Sequence, residues 1–262
     1  MGVERRGHEY EGEEYCEFAI AHNERWHSTA RVKGESVTLL DMEGTRTAWV
    51  AGATGLIGSL LLSELLASNR YSQVVALLRR PTGIKHPRLA EKIVDFSKLD
   101  IQALAPAEDV YCALGTTIKK AGSQSKFREV DFQYTLNLAR AAGSTGGRQF
   151  LLVSSVGANA HARNFYLRTK GELEDALAGE RFESLHIFRP SILVGTRTER
   201  RTGERLGIVL GQMIAPLMAG TWRKYRPIQA TTVTRAMVRA SEQGTPGVHI
   251  HEFDSICELA NH

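Results

Sequence analysis

Tyr166 and Lys170 stand one helical turn apart in Tyr166-Leu167-Arg168-Thr169-Lys170, downstream of an apolar run that ends in Ser154-Ser155. Residues four apart share a helix face, so the lysine ammonium would lie beside the phenol. A free tyrosine titrates near about 10, and a fixed positive charge close by favours its phenolate. Bringing such a group to neutrality takes about 4 kcal/mol of differential stabilisation. A tyrosine poised in this way gives a proton to a carbonyl oxygen during reduction and takes one from a hydroxyl during oxidation. Ser155, rather than Ser154, is expected to hold the substrate oxygen at the end of the preceding strand. A Tyr-Lys pair alone recurs by chance on helix surfaces; here it follows a serine-ended strand and, further upstream, a glycine turn.

That turn is Gly52-Ala53-Thr54-Gly55-Leu56-Ile57-Gly58, between an apolar run and a leucine-rich helical window. Glycine permits positive φ and leaves no Cβ between backbone and ligand. The helix N-terminus that follows presents free amides and a partial positive charge to a pyrophosphate. Gly58 would allow close packing of helix and sheet. The next strand ends in Leu78-Arg79-Arg80, where an NAD-selective chain usually carries an acid for the ribose hydroxyl. Two guanidiniums suit a 2′-phosphate instead, so the expected cofactor is NADP(H). Asp95, in Val94-Asp95-Phe96, is placed at the adenine amine.

These residues must be held by an alternation of strands and helices. Short apolar, partly β-branched runs occur at Thr47–Ala51, Val74–Leu78, Lys92–Val94, Val110–Leu114, Phe150–Val153 and Leu185–Phe188. Helical windows lie at Leu56–Ala67, Lys126–Ala142 and Tyr166–Ala178. The alternation predicts an α/β fold, a doubly wound parallel sheet of Rossmann type. A single domain over 46–262 would end in small C-terminal elements on the substrate side. His249 and His251 show no partner pattern and read as surface or loop residues.

Residues 1–45 read as a separate, poorly ordered extension, with ten acidic against five basic groups. A short helix around Tyr15–Ala21 is expected at most. The remaining residues carry 28 basic against 19 acidic groups, a balance suited to an anionic cofactor or substrate. Three scattered cysteines form no CxxC pair and no zinc-spaced cluster, which argues against a disulfide framework and a bound metal and for a reducing cytoplasm. The longest apolar stretch, Gly207–Gly220, contains Gln212 and Pro216 and falls short of the ~20 residues of a membrane span. No basic stretch is interleaved with aromatics, so neither nucleic acid nor membrane is expected as a partner. A small-molecule substrate is expected, and a homodimer is compatible with the sequence.

Taken together, Gly52–Gly58, Leu78-Arg79-Arg80-Pro81, Val94-Asp95-Phe96, Leu114-Gly115-Thr116-Thr117, Ser154–Ala158, Tyr166–Lys170 and Phe188-Arg189-Pro190-Ser191 resemble the short-chain dehydrogenase/reductase superfamily, in its atypical, Tat-interacting-protein-like branch. The resemblance runs from about Thr47 to His251. It implies an NADP(H)-bound domain with Tyr166 as proton donor and acceptor and Lys170 on the nicotinamide ribose. It also implies that Thr54, Gly55, Leu56 and Ile57 line the pyrophosphate, Arg79 and Arg80 the 2′-phosphate, and Leu114 and Gly115 the adenosine ribose. Leu193 and Arg201 match cofactor-proximal positions of that branch.

The function expected is NADP(H)-dependent hydride transfer to or from a small carbonyl or alcohol. A nucleotide-sugar epimerase shares the turn and the Tyr-Lys pair but needs a larger lobe than the 72 residues after Pro190 supply. A cofactor-binding regulator with little or no turnover is the alternative from another class, and an interaction scaffold using 206–222 a third. Because Met42 immediately precedes the first strong strand, the extension is expected to lie upstream of the functional start. A chain beginning at Met42 should therefore melt cooperatively and bind NADPH as the full chain does; loss of either on truncation ends that expectation.

Overall fold

Apolar β-branched runs bounded by glycine and helical windows can bury both faces only inside a sheet covered by helices on each side. The computed structural model, which describes residues 29–32, 35–38, 46–195 and 220–261, has this arrangement. The chain divides into two units, Met1–Met42 and Glu43–His262. In the first, β1 (Thr29–Val32) and β2 (Glu35–Thr38) pair antiparallel, with Thr29 opposite Thr38. The sequence reading assigned no strand there, because four residues are too few to establish a period. Tyr15–Ala21 lies outside the described residues.

The second unit opens with β3 (Arg46–Ala51), α1 (Leu56–Ala67), β4 (Tyr71–Leu78), β5 (Leu89–Ile93) and β6 (Asp109–Cys112). It continues through α2 (Ile118–Ala121), α3 (Gln124–Arg128), a π-helical turn (Glu129–Tyr134), α4 (Thr135–Ser144), β7 (Gln149–Val153), α5 (Phe165–Ala178) and β8 (Ser184–Phe188). Short strands β9 (Leu193–Val194) and β10 (Ile228–Gln229) pair with each other. Helix α6 (Ala230–Gln243), β11 (Gly247–His251) and α7 (Phe253–Asn261) close the chain. The seven-stranded sheet runs β11-β8-β7-β6-β3-β4-β5, and every neighbouring pair is parallel. The order reverses between β3 and β6, which opens a crevice at the carboxyl ends of those strands.

Side chains alternate across β3. Ala48 and Val50 pack with Leu61 and Leu65 of α1 and Val233 and Met237 of α6. Trp49 and Ala51 face the opposite layer, where Leu138 of α4 and Leu173 and Leu177 of α5 are buried. The C-terminal residues thus do more than the expected substrate-side elements: β11 completes the sheet, and α6 and α7 cover it. The predicted helix over 126–142 is interrupted by the π-helical turn. β5 starts earlier than expected because an edge strand carries polar residues such as Glu91 and Lys92 and so lacks a continuous apolar signal.

At the amino ends of the strands, Asp109 is fully buried. Its carboxylate accepts from Arg46 at 2.9 Å, Gln149 at 2.9 Å and the Tyr71 hydroxyl at 2.8 Å. The Ser241 carbonyl of α6 accepts from Arg70 at 2.8 Å and Gln149 at 3.1 Å. Burial first, and then Asp109, push the Tyr71 phenol up to about 12.

The reading of His251 as a surface or loop residue is corrected, whereas His249 is part-exposed on the edge strand β11. His251 pairs with His186 across β11 and β8, Nδ1 of His186 lying 2.9 Å from Nε2 of His251, and both are buried. The His249 ring stacks on His186 with centroids 4.9 Å apart. One histidine two residues from another looked patternless because the third member, His186, comes from a strand distant in sequence. Burial, then the neighbouring histidines, lower His186 and His251 to about 4. Unfolded histidine titrates at about 6.5, so as pH falls the unfolded chain takes up protons before the folded one. Stability is then full above pH ~6.5 and is lost as pH drops towards ~4, by up to about 1.4 kcal/mol per pH unit for each ring. Melting temperatures measured over that window should fall less steeply for His251→Gln than for the native chain; equal slopes would refute the assignment.

Candidate active site

Gly52, at the carboxyl end of β3, has φ of 84°. A Cβ there would lie 2.4 Å from the Ala113 carbonyl oxygen, and one at Gly58 would lie 2.0 Å from the carbonyl oxygen of Gly52 itself. The third glycine therefore presses α1 onto its own entry turn rather than onto the sheet. The Gly55 amide donates to the Gly52 carbonyl at 2.9 Å, closing the turn. Gly55 is the N-cap of α1, with no side-chain cap and no acid in the first turn. The opening amides of α1 are left for an anion, with Thr54 and Gly55 exposed above them and Ile57 buried beneath. Leu56 approaches the chain just after β9, where a Cβ on Gly195 would meet Leu56 Cδ1 at 3.0 Å. The cradle fits a dinucleotide pyrophosphate.

Arg79 and Arg80 follow β4 and are exposed. Asp95 follows β5, and its Oδ1 accepts both the amide and the hydroxyl of Ser97, at 2.8 and 2.7 Å. Those hydrogen bonds hold its pKa below the ordinary carboxylate range. Arg79 and Asp95 both act electrostatically on Tyr134, whose ring stacks on Phe96 at 6.1 Å. Arg79 and Asp95, from the loops after neighbouring strands β4 and β5, thus both lie near Tyr134.

Asn164 caps α5 by accepting from the Leu167 amide at 3.1 Å. The helix sets Tyr166 half-buried and Lys170 buried one turn later. The Tyr166 ring lies against Phe127, centroids 5.4 Å apart. Lys170 Nζ is 2.8 Å from Asp131 Oδ1, with side chains 4% and 1% exposed. Burial alone would lower the Lys170 pKa, but the adjacent Asp131 carboxylate holds it above the ordinary lysine range. The other Asp131 oxygen accepts from the Thr116 amide at 2.8 Å, in the segment that contains Leu114 and Gly115. The two serines part company: Ser154 is buried and bonded to Glu174, which also holds Arg189. Ser155 is half-buried and makes only a 3.5 Å approach to the Val156 carbonyl.

The NAD(P)H-binding family model matches residues 52–203. That span takes in the glycine turn, both arginines and the Tyr-Lys helix. The chain belongs to the NAD(P)H-binding family. It is 34% identical over 226 residues to the mitochondrial protein FMP52 of Candida albicans, covering 81% of this chain and 97% of that one. It is 35% identical to protein HTATIP2 of Rattus norvegicus over 198 residues, 74% of this chain and 80% of the relative. These relatives place it in the atypical, Tat-interacting-protein-like branch of the short-chain dehydrogenase/reductases. Its fold is similar to that of MoeE5 in complex with UDP-glucose and NAD, with a TM-score of 0.60, 18% identity, and 83% and 81% of the two chains covered. It is also similar to the UDP-glucose 4-epimerase of Thermotoga maritima, with a TM-score of 0.58, 17% identity, and 79% and 76% covered.

For this NAD(P)H-binding chain, Leu193 is half-buried in β9, while Arg201 and most of 206–222 lie outside the described residues. Sequence reasoning missed Asp131. Its signal was an acid on the apolar side of a helical window, four residues from both Phe127 and Thr135, each of them buried. An acid so placed needs a buried partner. Among the described residues no group of three or more His, Cys, Asp or Glu could hold a metal ion, and no helix is long and apolar enough to cross a membrane. Gly58→Ala is expected to destabilise the fold by about 1–3 kcal/mol through overpacking and to weaken cofactor binding. Thermal melts with a cofactor titration check this; wild-type behaviour in both contradicts the packing given for the turn.

Proposed function

We propose that this chain is an NADP(H)-dependent oxidoreductase that reduces a small carbonyl compound or oxidises the corresponding alcohol. The reading is carried by the buried ammonium of Lys170 one helical turn from the half-buried phenol of Tyr166. NADP(H), when bound, would supply or take up the hydride at the substrate carbon. Tyr166 would pass its proton to the carbonyl oxygen on reduction and recover one from the hydroxyl on oxidation. Ser155 would orient that oxygen, and Lys170 would hold the ribose diol. Arg79 and Arg80 are the reason for preferring the phosphorylated cofactor, since each guanidinium offers paired donors to a phosphate. A sensor that binds cofactor without turnover would use the lysine for the ribose but not the phenol beside it.

We further propose a small-molecule substrate, a homodimer without nucleic-acid or membrane partners, and a cytoplasmic location, the last because Cys112 and Cys257 are free thiols. The Candida albicans relative is named mitochondrial, so cell fractionation decides the location; sedimentation decides the dimer. NADPH is expected to bind at least about ten-fold more tightly than NADH, equivalent to about 1.4 kcal/mol. Equal affinities would remove the role given to Arg79 and Arg80. In a carbonyl screen followed by NADPH absorbance, Tyr166→Phe should retain cofactor affinity and lose roughly 10²–10⁴-fold in turnover; a fully active variant would end the mechanism.

A further inference from the structure

The pairing of Lys170 with Asp131 places two opposite charges 2.8 Å apart in a buried site. The second carboxylate oxygen of Asp131 is committed to the Thr116 amide. Asp131 lies in the π-helical turn Glu129–Tyr134, and such turns recur at functional sites. We propose that Asp131 is a positioning residue whose carboxylate anchors the Lys170 ammonium and ties it to Leu114–Thr116, so that the lysine and this segment engage the cofactor as one unit. The inference rests on the cofactor site given above but needs no turnover.

The geometry supplies the reason. An ammonium on a four-carbon stem has many rotamers, and a single fixed counter-charge beside it removes most of them while leaving donors for a ribose diol. Holding the acceptor from a backbone amide of the neighbouring segment makes the lysine's position depend on that segment. The groups acting on Lys170 are Asp131 from the π-helical turn, Tyr166 from its own helix and Cys112 from the end of β6. Burial pushes the Cys112 thiol up to about 11, so it stays neutral near physiological pH. Without the Asp131 carboxylate, burial would act on the lysine against little opposition.

The experiment is a cofactor titration without substrate between pH ~6.5 and ~9.5, using whichever of NADPH and NADH binds the native chain more tightly. The native chain should show no loss of affinity over this range arising from Lys170. Asp131→Asn, which retains an acceptor for Thr116, should bind at least about ten-fold more weakly at the alkaline end than at the acid end. Adding Lys170→Met to that variant should remove the extra pH dependence. An Asp131→Asn profile parallel to the native one would reduce the pair to a structural ion pair and overturn the proposal, whatever the outcome for reductase activity. Should Asp131→Asn fail to fold, NMR of the labelled native chain decides: the Thr116 amide and the Lys170 ammonium should both shift on cofactor binding, and a stationary Thr116 amide overturns the proposal.

Discussion

Just past the ends of β3 and β6, a Cβ on Gly52 would lie 2.4 Å from the Ala113 carbonyl oxygen. This crowding leaves no room for a side chain, and positive φ lets the chain turn there without strain. The same point is where the sheet order reverses, so the strands on either side send their connections to opposite faces. Everything placed at the crevice depends on it. β6 delivers Leu114–Thr116 on one side of the reversal and β7 delivers Ser154 and Ser155 beside it, while the glycine turn leads into the uncapped start of α1. The fold brings to one rim groups separated by more than a hundred residues in the chain.

Helix α5 bears two acid–base pairings, one buried and one part-buried, that divide its labour. Glu174 locks Ser154 and Arg189 into the body of the protein, leaving Ser155 as the serine with a loosely held hydroxyl. Lys170 meets Asp131 across the helix interface. Burying charges costs several kcal/mol per ion unless each is well partnered. Replacing either pair with apolar side chains would offer comparable stability, so stability alone gives no reason for four ionisable groups here. Their value lies in fixing where a few atoms stand. Membership of the NAD(P)H-binding family gives that precision a ligand to serve.

Much of this was visible in the sequence, for identifiable reasons. Helix α1 and the central strands announce themselves because a sheet buried on both faces demands continuous apolar runs, and glycines mark where backbone must approach backbone. The Tyr-Lys spacing survives intact because it is local to one helix. Asp131 escaped because its meaning depends on Lys170, a partner on another helix. The π-helical turn escaped for a related reason: one extra residue in a helix alters its phase without changing its composition. The histidines of β8 and β11 form a group only through the register that aligns His186 with His249. β11 carries no continuous buried apolar run, because it is an edge strand whose Val248 and Ile250 are exposed.

The polar network under the sheet has a consequence for how the chain is made. Asp109 gathers Arg46, Tyr71 and Gln149, while the Ser241 carbonyl takes up Arg70 and Gln149. Until Ser241 has been synthesised, the Arg70 and Gln149 donors that it accepts have no such partner. During translation the half of the domain carrying the glycine turn therefore emerges with its floor unfinished. The final closing contacts are among the most distant in sequence, the kind that makes folding slow. A ribosome-bound chain that has built the cofactor cradle must still wait for α6 before the domain can lock.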